Sequence, residues 1–198
     1  MNVIYRTCVV VTRIILIVAG NYRIIHKERL KNWRRCIITS NHISYFDPPF
    51  IGAILPREIY YLAKSELFRN RLFGAFLRVL NSIPVKRGVV DRTTLDRIKE
   101  LLGEEKSILI FPEGSRKSYT AKPGIGILVY EMKVPILPVY IENSNHLLSS
   151  FLRKKRVNIY IGEWIEPDEF AGLPAEKASY RHIAEQVLAR IKSLPHEN

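Results

Sequence analysis

Two short segments of this chain combine residue types that can move a proton and hold an anion. The first is Asn41-His42-Ile43-Ser44-Tyr45-Phe46-Asp47, in which a histidine and a carboxylate stand five positions apart. A neutral imidazole accepts a hydroxyl proton near neutral pH, and a carboxylate fixes its tautomer. Asp47 precedes Pro48, which biases its backbone away from the helical region. The intervening bend can therefore fold the carboxylate back onto the ring. The second segment, Phe111-Pro112-Glu113-Gly114-Ser115-Arg116, follows an apolar run. Gly114 lets backbone approach a ligand closely, and Arg116 offers a forked guanidinium to phosphate or carboxylate. A base, its orienting group and an anion clamp suit acyl transfer to a hydroxyl on a negatively charged substrate.

Each of these residues also has a purely structural reading. Asp47 can be a helix N-cap ahead of proline, and His42 a histidine hydrogen-bonded at a strand end. Glu113 can belong to an ion pair in a solvent-facing turn. Arg87 is a second candidate anion clamp or an ordinary surface arginine. Lys122-Pro123-Gly124 offers a positive group at a helix N-terminus, although a plain turn is the better reading.

The elements that must position these residues alternate along the chain. Strand-like runs fall at Tyr22 to Ile25, Cys36 to Thr39, Ile59 to Leu62, Ile83 to Val85, Ile108 to Phe111 and Ile136 to Ile141. Val157, Ile159 and Ile161 alternate as in a half-buried strand. Pro48-Pro49 open a helix through Leu55. Further helical spacing runs over Leu67 to Leu80, from Asp91 or Thr93 to Gly103, over Gly124 to Met132 and near Ala175 to Ile191. Alternation of this kind predicts an α/β fold with a mixed central sheet flanked by helices. Both reactive segments follow strands, where such folds place their sites.

The 198 residues suffice for one sizeable core. We expect an N-terminal helix over residues 1–20 and a domain over 21–198. The composition gives 31 Lys and Arg against 19 Asp and Glu, a net charge of +12. This balance favours acidic partners. No nucleic-acid-binding motif accompanies it, and basic clusters beside an apolar anchor suit a membrane surface better. The two cysteines, Cys8 and Cys36, make neither a zinc site nor a disulfide framework. Val3 to Ala19 is apolar but interrupted by Arg6 and Arg13, so its unbroken part is far short of the ~20 residues of a membrane span. Ile4, Val11, Ile15 and Val18 gather on one helical face. The segment reads as a membrane-associating helix lying in the lipid interface or dipping into one leaflet, or else as a core helix.

In the order of its motifs the chain resembles the glycerolipid acyltransferases, the PlsC-like lysophosphatidic acid acyltransferases. Asn41, His42, Ser44 and Asp47 match the family's NHxSxxD block. Ile83 to Arg87 match a short apolar piece ending in arginine, with Lys86 departing from the usual acidic or polar residue. Phe111 to Arg116 match FPEGTR with Ser115 for threonine, and Val134 to Val139 match VPxxPV. The blocks span about half the chain.

The resemblance implies roles. His42 is the general base and Asp47 its orienting partner. Arg87 and Arg116 bind the acceptor phosphate, and Glu113, Gly114 and Ser115 shape that pocket. Pro135 and Pro138 build the acyl-chain side. It also implies transfer from acyl-coenzyme A or acyl carrier protein to the sn-2 hydroxyl of 1-acyl-glycerol-3-phosphate. No metal or bound cofactor is expected, because a thioester is already activated. Acceptors of the same general kind are glycerol 3-phosphate, another lysophospholipid or a lyso-aminolipid. A protein of this fold without catalysis would bind membrane only. The expected location is the cytoplasmic face of a membrane.

Overall fold

The structure, a computed structural model, describes residues 2–18, 21–86, 92–116, 118–152 and 154–196. Its strands form in segments rich in aliphatic and aromatic residues, with Arg23, Lys64 and Asn158 among them. They are β1 (Tyr22–Ile25), β2 (Ile37–Ser40), β3 (Tyr60–Lys64), β4 (Ser82–Val85), β5 (Ile108–Ile110), β6 (Ile136–Glu142) and β7 (Val157–Ile161). All seven join one sheet in the order β1-β7-β6-β2-β5-β3-β4. Every neighbouring pair is parallel except β6 and β7, so the sheet is mixed as expected. Each residue of β2 and β5 is buried, as in a parallel sheet covered on both faces.

The covering helices are α1 (Val3–Val18), α2 (Asp47–Ile54), α3 (Arg71–Val79), α4 (Arg92–Gly103), α5 (Pro123–Met132), α6 (Leu147–Phe151) and α7 (Lys177–Ser193). Strand periodicity divides the core between the two faces. Ile38 and Leu109 meet Phe50 and Leu16 from α2 and α1 on one face. Ile37 and Ile108 meet Leu102, Ile125 and Ile183 from α4, α5 and α7 on the other.

Two features of this sheet position the site. β2 and β5 run parallel with Ile37 opposite Ile108, so the loops after both leave the same edge. The Asn41 side chain then adds one more rung beyond β2. Its Nδ2 donates to the Ile141 carbonyl and its Oδ1 accepts from the Ile141 amide, both at 2.8 Å. The loop that carries His42 is thereby clasped to the end of β6.

Several expectations change. The helix expected over Leu67 to Leu80 is a 3₁₀ turn, Ser65–Phe68, followed by α3. Asn70 caps α3 by accepting the Phe73 amide at 3.0 Å. Neither Pro135 nor Pro138 lines the apolar cavity that the site adjoins. Pro138 lies inside β6, buried between β2 and β7, and its carbonyl accepts the Gly162 amide at 2.8 Å. Helix α6 had no signal strong enough to be expected.

The N-terminal helix packs on the domain along part of its surface. Tyr5 and Leu16 are buried against the domain, and Arg13 Nε donates to the Ala53 carbonyl at 2.6 Å. Ile4, Val11, Ile15 and Val18 remain exposed together. Among the described residues no helix is long and apolar enough to cross a membrane.

α5 and α7 approach so closely that a Cβ on Gly126 would stand 1.9 Å from the Tyr180 carbonyl oxygen. That backbone cannot rotate away as a side chain would. Gly126→Ala is expected to cost about 1–3 kcal/mol. Gly103→Ala, with nothing within 4 Å of its added carbon, should be neutral or stabilising. Urea midpoints of the two variants check both outcomes.

Candidate active site

Asp47 settles the reading of the first segment. It is the first residue of α2, yet its carboxylate does not cap that helix. It turns back into the bend instead, where Oδ2 accepts the Ile43 and Ser44 amides, each at 2.7 Å. The same oxygen lies 2.8 Å from His42 Nδ1. Oδ1 accepts the Ser144 hydroxyl at 2.5 Å. Asp47 and Ser144 are both 0 % exposed. A carboxylate surrounded by donors is an acceptor on both oxygens, so Nδ1 of the ring carries the proton. The lone pair then resides on Nε2.

The ring itself is 8 % exposed. Phe111, just beyond β5, stacks on it with centroids 4.1 Å apart and planes at 21°. His42 is therefore held by a hydrogen bond at one edge and an aromatic face at its side. The side-by-side strands β2 and β5 are what bring these two sequence segments together.

His42 and Phe111 form one end of the wall of an apolar cavity of about 460 Å³. This lies within the range of ligand pockets, ~300–1,000 Å³. Tyr5, Val9 and Thr12 of α1 bound it on one side, and Phe73 and Leu77 of α3 on another. Tyr5 and Tyr61 also line it, with their hydroxyls 3.1 Å apart. Burial raises both phenols, so both stay neutral. Tyr61 fits because Gly52 has no side chain: a Cβ there would lie 1.9 Å from the Tyr61 hydroxyl.

The second segment divides its residues among three surroundings. Gly114, with φ at 68°, faces the cavity. The guanidinium of Arg116 lies 3.5 Å from the centre of the Tyr45 ring, a cation–π contact. Tyr45 belongs to the His42–Asp47 bend and lines the cavity too, so Arg116 is tethered to the histidine segment. Glu113 does not line the cavity. It is buried with Oε1 3.9 Å from Lys192 Nζ. Burial raises its carboxyl above the ordinary value, against the pull of Lys192 and of the His42 backbone amide. Ser115 is half-buried, and Arg87 falls outside the described residues. Lys122 precedes α5 without a side-chain cap hydrogen bond.

Ser144, like Tyr45, is a site residue that sequence reading missed. Nothing in the pattern around Asn143-Ser144-Asn145 marks a serine as donor to a carboxylate 97 positions away. Only the Asn41 clasp to β6 carries it there. Among the described residues, no group of three or more His, Cys, Asp or Glu side chains is placed to hold a metal ion.

The family model described as Acyltransferase matches residues 21–142. A protein of Bacillus subtilis named 1-acyl-sn-glycerol-3-phosphate acyltransferase is 30% identical over 193 residues, 96% of either chain. One of the same name from Streptococcus pneumoniae is 28% identical over 74% of this chain and 56% of its own length. The crystal structure of the lysophosphatidic acid acyltransferase PlsC from Thermotoga maritima superposes with a TM-score of 0.70. That match covers 97% of this chain and 78% of the other at 21% identity, a likeness of fold.

The raised Glu113 carboxyl makes a prediction. The folded chain holds this proton more tightly than the unfolded one, so this group's contribution to stability falls as pH rises through its titration. Glu113→Gln should therefore gain stability relative to the parent between about pH 4 and about pH 7. Denaturation midpoints at the two pH values measure this, and a constant difference would count against it.

Proposed function

The chain belongs to the acyltransferase family, and we propose that it moves a fatty acyl group from a thioester to the sn-2 hydroxyl of 1-acyl-glycerol-3-phosphate, giving phosphatidic acid. The donor is acyl-coenzyme A or acyl carrier protein, whose acidity suits the net charge of +12. The observation that carries this reading is the buried His42–Asp47 pair at the wall of an apolar cavity, with Arg116 tethered beside it through Tyr45.

The reaction follows from the protonation state of the ring. Nε2 takes the proton of the acceptor hydroxyl as its oxygen attacks the thioester carbonyl. Asp47 stabilises the imidazolium that results and keeps the ring in place. A tetrahedral oxyanion forms, then collapses with cleavage of the carbon–sulfur bond. The departing thiolate takes the proton from Nε2, which returns the ring to its starting state. A base of this kind contributes ~100- to 10,000-fold, and alignment of the two substrates supplies much of the remainder.

Transfer is direct, without an acyl-enzyme. Burial pushes the Cys36 thiol up to about 12, so it supplies no thiolate. Cys8 lies on the α1 wall of the cavity, whereas the ring's hydrogen bond is to Asp47. Arg116 binds the acceptor phosphate, with Arg87 as its partner in that role and Gly114 and Ser115 shaping the pocket. The apolar cavity takes an acyl chain. No metal or cofactor takes part.

The exposed apolar face of α1 associates with a membrane at its cytoplasmic side. Arg6 is exposed on the same helix, as expected of a helix lying among headgroups. This is peripheral or monotopic association.

The test is a panel of lysolipid acceptors with both donor types, read by thiol release and product mass. Phosphatidic acid should form from lysophosphatidate. His42→Ala should lose at least ~100-fold in turnover with the fold intact. Arg116→Ala should chiefly raise the KM for phosphorylated acceptors. Near-normal turnover by His42→Ala would remove the base assignment. A preference for an acceptor without phosphate, such as a lyso-aminolipid, would overturn the choice of substrate.

A further inference from the structure

Helix α3 has an outer face that the cavity does not explain. Its inner side is accounted for: Phe73 and Leu77 line the cavity. Gly74 is buried where an added Cβ would come 2.9 Å from the Phe68 carbonyl oxygen. The outer side carries Leu72, 86 % exposed, and Phe76, 43 % exposed. They stand four residues apart and so share one helical face. Neither lines the cavity. Three exposed arginines, Arg69, Arg71 and Arg78, belong to the same segment. Arg78 rests over the Phe68 ring at 5.3 Å.

We infer that this face of α3 is a second contact with an anionic lipid surface, separate from α1, and that it holds the cavity mouth against the bilayer. The inference rests on the proposed acyl transfer to a lipid acceptor. Exposed apolar side chains on a segment that also carries exposed arginines match the boundary between acyl chains and acidic headgroups. Continuity supports the same occupant. α1 and α3 both form walls of the one cavity, and each leaves apolar residues exposed beyond it. A lipid leaving a bilayer between them passes from hydrocarbon into an apolar cavity without crossing water. A second copy of this chain is a poorer occupant. Pairing two copies would bring together molecules that each carry +12.

The test uses the full chain and the double variant Leu72→Ser with Phe76→Ser, neither residue being part of the cavity. Flotation with acceptor-free vesicles of phosphatidylcholine and about one quarter phosphatidylglycerol measures lipid binding. The variant should bind at least about tenfold more weakly. Transfer to long-chain lysophosphatidate embedded in those vesicles should fall in step. Transfer to a short-chain lysophosphatidate dissolved as monomers should stay within about twofold. Unchanged flotation overturns the inference, as does an equal loss of activity with both acceptors. A change of oligomeric state with unaltered flotation would assign the face to protein contact instead. Should the parent chain acylate neither acceptor, the proposed reaction fails, while flotation still decides the role of α3.

Discussion

The carboxylate of Asp47 sits where water cannot reach it, and the surrounding structure is arranged to supply its hydrogen bonds. A buried charge left without partners is several kcal/mol too costly for a marginally stable fold. Two backbone amides, an imidazole and a hydroxyl meet that demand here. The amides belong to the bend between β2 and α2, so satisfying the carboxylate also closes the bend. The imidazole is then oriented as a consequence of the same closure. Its proton lies toward Asp47 and its basic nitrogen is left over for chemistry. Positioning the base and stabilising the bend are one interaction seen from two sides.

The sheet makes this arrangement possible by bringing distant segments to one edge. β5 lies beside β2 and delivers Phe111 onto the ring and Arg116 over Tyr45. β6 lies on the other side of β2 and, through the Asn41 clasp, delivers Ser144. No loop could hold these groups alone, because each would have to give up backbone freedom worth roughly 1–2 kcal/mol per residue. Strand register fixes them without that local cost. The helices that wall the cavity come from still farther away, α1 before the sheet begins and α3 between β3 and β4.

Much of this was legible in the residues themselves. Aliphatic runs located β2, β5 and β6 within a residue or two, because strands covered on both faces leave little room for polar side chains, and alternation located β7. The His42 to Asp47 spacing revealed the pair, whereas the proline after Asp47 did not keep that residue out of the helix: it is the first of α2, and the bend lies before it. The misses have physical causes. Pro138 took its acyl-side role from the resemblance alone, and its place inside a strand flanked on both sides accounts for its burial without any ligand. Glu113 looked like part of the pocket because Gly114 and Arg116 are its neighbours, but successive residues in a turn face different ways. Tyr45 lay between two conspicuous residues and was passed over, although its ring seats the Arg116 guanidinium. Ser144 required the sheet order, which periodicity does not contain. For α1 the pattern identified the face left exposed, and only the packed Tyr5 and Leu16 revealed how the helix is attached.

The central claim concerns one proton. ¹⁵N NMR of the His42 imidazole, at a pH where the ring is neutral, reads its position directly. The account predicts a ring protonated at Nδ1 and bare at Nε2, with the Nδ1 proton shifted far downfield by Asp47. A neutral ring carrying its proton on Nε2 would contradict it, because no lone pair would then face the acceptor hydroxyl.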